Sequence, residues 1–190
     1  MKFFFTSLLL FLSLAGCMSS PKSTYYTLSS SPISEEPAQR NVRIMVGPVA
    51  LPDLLDQPKL VVHTSGTEVK LHDYDRWAGS LKNDIGRVVV AKVASDLRTS
   101  TVWSFSQSTQ TDFDYQVLID VQNLESRAGD SVLLDMLWTV QPKNAKTKPI
   151  MGRSVVRETV NGSSMDALVA AQSRAFAVAS ADIARAIGQR

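Results

Sequence analysis

Residues 115–140 read YQVLIDVQNLESRAGDSVLLDMLWTV, and this stretch decides the fold. Apolar and polar residues alternate on both sides of Gly129-Asp130, a dipeptide that is typical of a turn. Such alternation indicates strands with one buried face and one solvated face, so the stretch predicts an antiparallel hairpin. The residues expected on its buried face are Tyr115, Val117, Ile119, Val121, Val132, Leu134, Met136, Trp138 and Val140.

Shorter β-prone segments surround this hairpin. Two of them flank Ser65-Gly66, and we expect a second hairpin there with a two-residue turn. Another ends among prolines, which exclude a central strand beyond that point. The predicted strands outside the main hairpin are 42–49, 60–63, 67–71, 103–105 and 150–160, and a short β-prone run precedes them at 25–28.

A change to helical periodicity marks residues 75–97. We expect Asp73 or Asp75 to cap this helix and Trp77 to lie in its first turn, facing the sheet. Three consecutive valines at 88–90 lower the helix propensity, but the apolar spacing still favours a helix.

A second helix is predicted at the C-terminal end. Ser163, with Asp166 three residues later, resembles a capping box, and Gly188 is the expected C-cap. The expected apolar stripe consists of Leu168, Ala171, Ala175, Phe176, Ala179, Ile183 and Ile187. The order of elements predicts an α+β fold, in which a mostly antiparallel β-sheet carries two α-helices packed on one face.

The first 17 residues have the pattern of a leader. Lys2 precedes an apolar run over 3–14, which rises about 18 Å as a helix and is too short to span a bilayer. Ala15-Gly16 then precedes Cys17, the only cysteine in the chain. Small residues directly before a cysteine resemble the lipobox of bacterial lipoproteins, so we expect residues 1–16 to be cleaved and Cys17 to be acylated. An ordinary secretory signal followed by an incidental cysteine is the alternative.

Cleavage before Cys17 removes 16 of the 190 residues and leaves 174. We expect residues 17–40 to form a flexible lipidated tether, rich in serine, threonine and proline, and residues 41–190 to form one periplasmic domain. The net charge of the whole chain is only +2, which does not indicate a nucleic-acid partner. Met18-Ser19 lacks the aspartate that retains many lipoproteins in the inner membrane, which favours the outer membrane.

The sequence contains no recognisable catalytic motif, and we predict no catalytic residue, no metal and no cofactor. His63 and His72 would stand about 13 Å apart along the second hairpin, too far to share one metal ion. Asp112, Asp114 and Asp120 are better explained as a solvated sheet face than as a pair of catalytic carboxylates.

The segment 47–58 combines prolines with three leucines. Its prolines exclude a regular helix or central strand, yet it is apolar. Two interpretations stay open: the segment caps the sheet, or it is a contact edge for another protein. For the second, the predicted partner-binding residues are Leu51, Pro52, Leu54 and Leu55.

Three stretches together resemble the ABC-type transport auxiliary lipoproteins, the family of paraquat-inducible protein C. They are Tyr26-Thr27-Leu28, then the run from Val46 to Pro58, then Asp75-Arg76-Trp77-Ala78-Gly79-Ser80-Leu81. The chain departs from the family at Gln57, where a basic residue is frequent, and at Gly79-Ser80, where an acidic-Pro pair is frequent.

The resemblance implies a lipid-anchored protein of the outer membrane that faces the periplasm. It would dock, without catalysis, with an MCE-domain protein that spans the envelope and carries lipids between the membranes, and it could form a homo-oligomer. Two other classes stay open. One is a periplasmic lipid- or small-ligand-binding lipoprotein with a cavity between sheet and helix, and the other is an envelope hydrolase.

Overall fold

Eight strands and two α-helices form an α+β fold in the computed structural model, which describes residues 21–30, 38–107 and 112–189. The predicted leader 1–16, Cys17 and Met18-Ser19 lie outside the described residues. The strands are β1 (Thr24–Tyr26), β2 (Ile44–Ala50), β3 (Lys59–His63), β4 (Val69–Trp77), β5 (Val102–Ser104), β6 (Tyr115–Ser126), β7 (Ser131–Pro142) and β8 (Ile150–Thr159). The helices are α1 (Leu81–Leu97) and α2 (Met165–Gly188), and a 3-10 turn covers Phe105–Gln107.

The larger sheet has the order β5-β2-β6-β7-β8. Its centre is the hairpin of β6 and β7, whose register runs from Tyr115 opposite Pro142 to Ser126 opposite Val132, as the alternating pattern predicts. β2 lies parallel to both β5 and β6, while β7 and β8 are antiparallel. The predicted α+β fold class is confirmed, but the larger sheet has two parallel and two antiparallel pairings, so it is mixed rather than mostly antiparallel.

The smaller sheet has the order β1-β4-β3 and is separate from the larger one. β3 and β4 form the second predicted hairpin, but the expected two-residue turn is wrong. His63 lies opposite Val69, and the five residues between them form the connection, in which the Thr64 amide donates to the Glu68 carbonyl at 3.0 Å. The wider turn accommodates two further polar side chains that bond within it, those of Thr64 and Ser65.

The expected start of the first helix is also wrong. β4 continues through Trp77, and α1 begins only at Leu81, after Ser80. Asp73 and Asp75 are therefore strand residues, not caps, because pairing with β1 extends β4 beyond the point where helical spacing begins. Trp77 is buried as expected, from the end of a strand rather than from a helix.

α2 begins one residue later than predicted. The Ser164 hydroxyl accepts a hydrogen bond from the Ala167 amide at 3.1 Å, as an N-cap does. Gly188 is the last helical residue. Every residue of the predicted apolar stripe is buried, and α2 packs against β7, β8 and α1, while α1 packs against β2 and β5.

The N-terminal described segment is packed against the body. Leu28 is fully buried, and its backbone amide donates to the Asp84 carboxylate of α1 at 3.1 Å. The Ser29 amide donates to Ser173 Oγ of α2 at 2.9 Å. Packed structure thus begins well before residue 41, inside the segment that the sequence analysis assigns to the tether.

Candidate partner-binding surface

The β2–β3 loop is held in a defined conformation by its own backbone. The amides of Leu55 and Asp56 both donate to the Pro52 carbonyl, at 2.9 and 3.2 Å. At the end of the loop the Trp77 amide donates to the Pro58 carbonyl at 2.8 Å, which fastens the loop to β4. A loop with these internal bonds loses little conformational entropy when it meets another molecule.

The three leucines of this loop have different surroundings. Leu55 is 7% exposed and belongs to the core, and Leu51 packs against the core while partly exposed. Leu54 is 42% exposed. Pro52 is half-buried. Of the four residues expected to bind a partner, Leu54 is therefore the side chain most available to one.

Phe105 adds an exposed aromatic side chain beside Gly47 of β2, and the sequence pattern predicts it only as the end of a short strand. It is 53% exposed and begins the 3-10 turn after β5. Gly47 lies directly beneath it, because a Cβ at position 47 would be 3.0 Å from Phe105 Cβ. Gly47 also has φ of +116°, which side chains disfavour, and a cis peptide bond joins it to Pro48. The one available signal was the adjacent Gly47-Pro48 pair, a common mark of an irregular backbone.

A cavity of about 150 Å³ joins these elements. Its lining includes Pro48, Phe105 and Lys82, and Lys82 Nζ also lies 2.6 Å from Asp56 Oδ2 in the β2–β3 loop. Lys82 therefore links the loop to the Phe105 side of the molecule. We call the set of exposed Pro48, Leu54 and Phe105 together with half-buried Lys82 the apical surface.

Hydrogen bonds at the start of α1 hold the Phe105 side of this surface. The Ser106 hydroxyl donates to Asn83 Oδ1 at 3.0 Å and lies 3.3 Å from Ser104 Oγ. A Cβ at Gly86 would meet Ser104 Oγ at 3.3 Å, so α1 and β5 are closely packed there. The apical surface is thus supported by regular elements on both sides.

His63 and His72 have separate hydrogen-bond partners. The Nδ1 atom of His63 accepts from the Ser126 amide at 3.2 Å, whereas His72 Nδ1 lies 3.2 Å from Asp75 Oδ2. Among residues 21–30, 38–107 and 112–189, no group of three or more His, Cys, Asp or Glu side chains is arranged to hold a metal ion.

The carboxylates near β6 are ion-paired. Arg43 bonds both Asp112 and Asp114, and Lys143 Nζ lies 2.6 Å from Asp112 Oδ1. Hydrogen bonds from Lys143 and Arg43 lower the pKa of Asp112, and those from Arg43 lower the pKa of Asp114. Both carboxyl groups therefore stay ionised at neutral pH, where neither can act as a general acid. Asp120 is exposed on β6.

A cavity of about 520 Å³ lies between the C-terminal ends of α1 and α2. Arg40, Asp96, Arg98 and Arg185 line it. The space between α2 and the larger sheet, by contrast, is filled by buried side chains such as Phe176. Around Phe176 the space between sheet and helix is therefore occupied by core, while an open groove of about 300 Å³ remains at its edge, lined by Trp138, Gly152 and Asp182 among others. Within the described part of the chain, no helix is long and apolar enough to cross a membrane.

The family profile described as ABC-type transport auxiliary lipoprotein component matches residues 26–184. No curated protein gives a significant match.

Two crystal structures share the fold. One, of an uncharacterised protein, has a TM-score of 0.70 at 23% identity and covers 88% of this chain and 99% of its own. The other, protein XCC0632 of Xanthomonas campestris from the DUF330 family, has a TM-score of 0.65 at 14% identity, with coverage of 85% and 93%.

Proposed function

The chain belongs to the ABC-type transport auxiliary lipoprotein component family, and we propose that it is a non-catalytic adaptor that docks with an envelope-spanning partner. In this proposal the protein is anchored in the outer membrane, faces the periplasm and binds an MCE-domain protein of an intermembrane lipid transport system. The observation that carries the proposal is the apical surface, where exposed Leu54 and Phe105 stand on a well-packed support.

The anchor in this proposal is the acylated Cys17. Two or more acyl chains hold a protein stably, whereas one chain does so only marginally. Cys17→Ala should therefore block acylation and either release the protein or stall it with its leader uncleaved. Met18→Asp should instead shift the acylated protein from the outer to the inner membrane in a density-gradient fractionation. Recovery of folded Cys17→Ala protein in the outer-membrane fraction would overturn the anchor.

The docking surface fits the energetics of protein interfaces. A few desolvated apolar and aromatic side chains supply most of the binding energy in such interfaces. Phe105 and Leu54 are apolar anchors of this kind, and Lys82 adds a cation beside them. The supporting hydrogen bonds keep these side chains in place before binding, which limits the entropy lost on association.

The test is co-purification of the acylated protein with the MCE-domain protein. We expect Phe105→Ser to reduce the co-purified partner at least several-fold without changing the melting temperature. The matched control is Val178→Ser, which removes an exposed apolar side chain from α2. Equal loss of partner in both variants, or no loss in either, would contradict docking through the apical surface. If the protein forms a homo-oligomer, sedimentation of the same variants shows whether this surface also joins copies.

The second candidate function is ligand binding in the cavity between the C-terminal ends of α1 and α2. Three arginines and one aspartate line it, which suits a ligand with an anionic group. Mass spectrometry of the purified protein under non-denaturing conditions tests this role. A retained lipid or small molecule, lost in Arg185→Ala, would favour the carrier over the adaptor.

A further inference from the structure

The smaller sheet turns two tyrosines away from the core. Tyr25 lies directly opposite Arg76 in the β1–β4 pairing, so the two side chains leave the sheet on the same face. Tyr74 precedes Arg76 by two residues, within the stretch of β4 where the register against β3 shifts, and its side chain is likewise exposed. The next pair, Tyr26 and Trp77, points the other way, and Trp77 is buried. Tyr25 and Tyr74 are accordingly 63% and 50% exposed.

Basic side chains accompany these tyrosines. Lys59 lies opposite Arg76 in the β3–β4 pairing and therefore on the same face, and exposed Lys22 precedes β1. The carboxylate of Asp73 lies 2.6 Å from Lys59 Nζ and forms an ion pair with it. We call the set Tyr25, Lys59, Tyr74 and Arg76 the tyrosine face.

Only a short segment of the chain separates this sheet from the proposed anchor at Cys17. Seven residue steps separate Cys17 from Thr24, and at no more than about 3.6 Å each they span at most roughly 25 Å. A domain of this size has a diameter of about 40 Å, which follows from a radius of gyration near 15 Å. The stretch from Cys17 to Thr24 is therefore shorter than the body, and it keeps β1 and its sheet within roughly 25 Å of the anchor.

We propose that the tyrosine face rests on the phospholipid headgroups of the membrane that holds Cys17. Tyrosine side chains favour the level of the headgroups, and the cations of this face complement lipid phosphates. The inference depends on the proposed acylation of Cys17. Because the acyl chains already hold the protein, this contact fixes the orientation of the body rather than its membrane affinity.

Site-specific fluorescence on the acylated full-length protein tests the contact. Since acylated Cys17 has no free thiol, Tyr74→Cys introduces the only one, and it can carry an environment-sensitive probe. The control is Met151→Cys, at a 79% exposed position on β8 of the other sheet. Both proteins are reconstituted in vesicles of phosphatidylethanolamine and phosphatidylglycerol, with and without nitroxide-labelled lipid.

We expect blue-shifted emission at position 74 and quenching by the nitroxide lipid several-fold stronger than at position 151. Adding Arg76→Glu should reduce the quenching at position 74 while the protein stays in the vesicles. Equal quenching at both positions, or protection of position 74 only after a protein partner is added, would overturn the inference. A wild-type protein whose Cys17 reacts with the probe and which does not enter vesicles would instead overturn the anchor in the proposed function.

Discussion

Leu54 and Leu55 are neighbours in the chain with opposite surroundings, since Leu54 reaches the solvent and Leu55 lies in the core. The β2–β3 loop can therefore pack against the body through one leucine and contact a partner through the other. Leu55 fastens the loop to the body, and Leu54 is presented to another molecule. A pair of variants can therefore separate stability from binding within two adjacent residues.

Leu55→Ala should lower the free energy of unfolding by about 2–5 kcal/mol, because it removes buried methyl groups and leaves a cavity. Leu54→Ala should change it by less than about 0.5 kcal/mol, as exposed substitutions usually do. Thermal or urea unfolding of the two variants measures this difference. If both variants lose the same stability, Leu54 is part of the core and the apical surface has to be redrawn.

Leu28→Ala should also lower the free energy of unfolding by about 2–5 kcal/mol, since the side chain is fully buried in the core. A flexible tether predicts no change at this position. Lys22→Ala, at an exposed position six residues earlier, serves as the control. Unfolding measured by circular dichroism distinguishes the two accounts, and an unchanged transition for Leu28→Ala would show that residues 24–30 do not stabilise the domain.

Gly152→Ala should destabilise the larger sheet by about 1–3 kcal/mol, as overpacked cores do. An added Cβ would lie 2.2 Å from Trp138 Cζ2, and this ring is held by a 3.1 Å hydrogen bond from its Nε1 to Ser154 Oγ. Gly66→Ala is the matched control, because nothing lies within 4 Å of a Cβ there. Equal melting temperatures for the two variants would mean that the Trp138 ring can move aside.

The stability of the domain should fall as the medium is acidified. Lys143 and Arg43 hold the pKa of Asp112 below its usual value, and Arg43 does the same for Asp114. A carboxylate whose pKa is lower in the folded state stabilises the fold above its unfolded pKa, and this contribution disappears as the pH falls through the folded value. The loss of this stabilisation should thus begin at about pH 4 and continue at lower pH.

Arg43→Gln should make the unfolding free energy less dependent on pH in this acidic range. Lys70→Gln removes an equal charge from an exposed position on β4 and is the control. Urea unfolding at a series of pH values gives the comparison. Parallel curves for Arg43→Gln and the wild-type protein would show that these ion pairs do not contribute to the acid response.

Local patterns predicted the elements whose partners are close in sequence. The β6–β7 hairpin follows from alternation around one turn, and the buried stripe of α2 follows from helical spacing. The parallel pairing of β2 with β5 and β6 joins residues far apart in the chain, for which a single sequence contains no local signal. β1 and β4 are also far apart in the chain, so no local pattern predicts their pairing. Because this pairing extends β4, α1 begins at Leu81, later than predicted.

The candidate surface was predicted only in part. Composition identified the leucine- and proline-rich loop, but an irregular loop has no period that shows which of Leu51, Leu54 and Leu55 is buried. Phe105 was predicted only as the end of the strand 103–105, because its contact with Gly47 joins residues that are distant in sequence and close in space.

The most direct test of the adaptor role is photocrosslinking in living cells with a benzoylphenylalanine residue at position 105, compared with the same residue at position 178. We expect the probe at position 105 to form an adduct that mass spectrometry identifies as the MCE-domain protein, and the probe on α2 to form none. No adduct from position 105 in a correctly folded, membrane-anchored protein, or an equal adduct from position 178, would contradict docking through the apical surface.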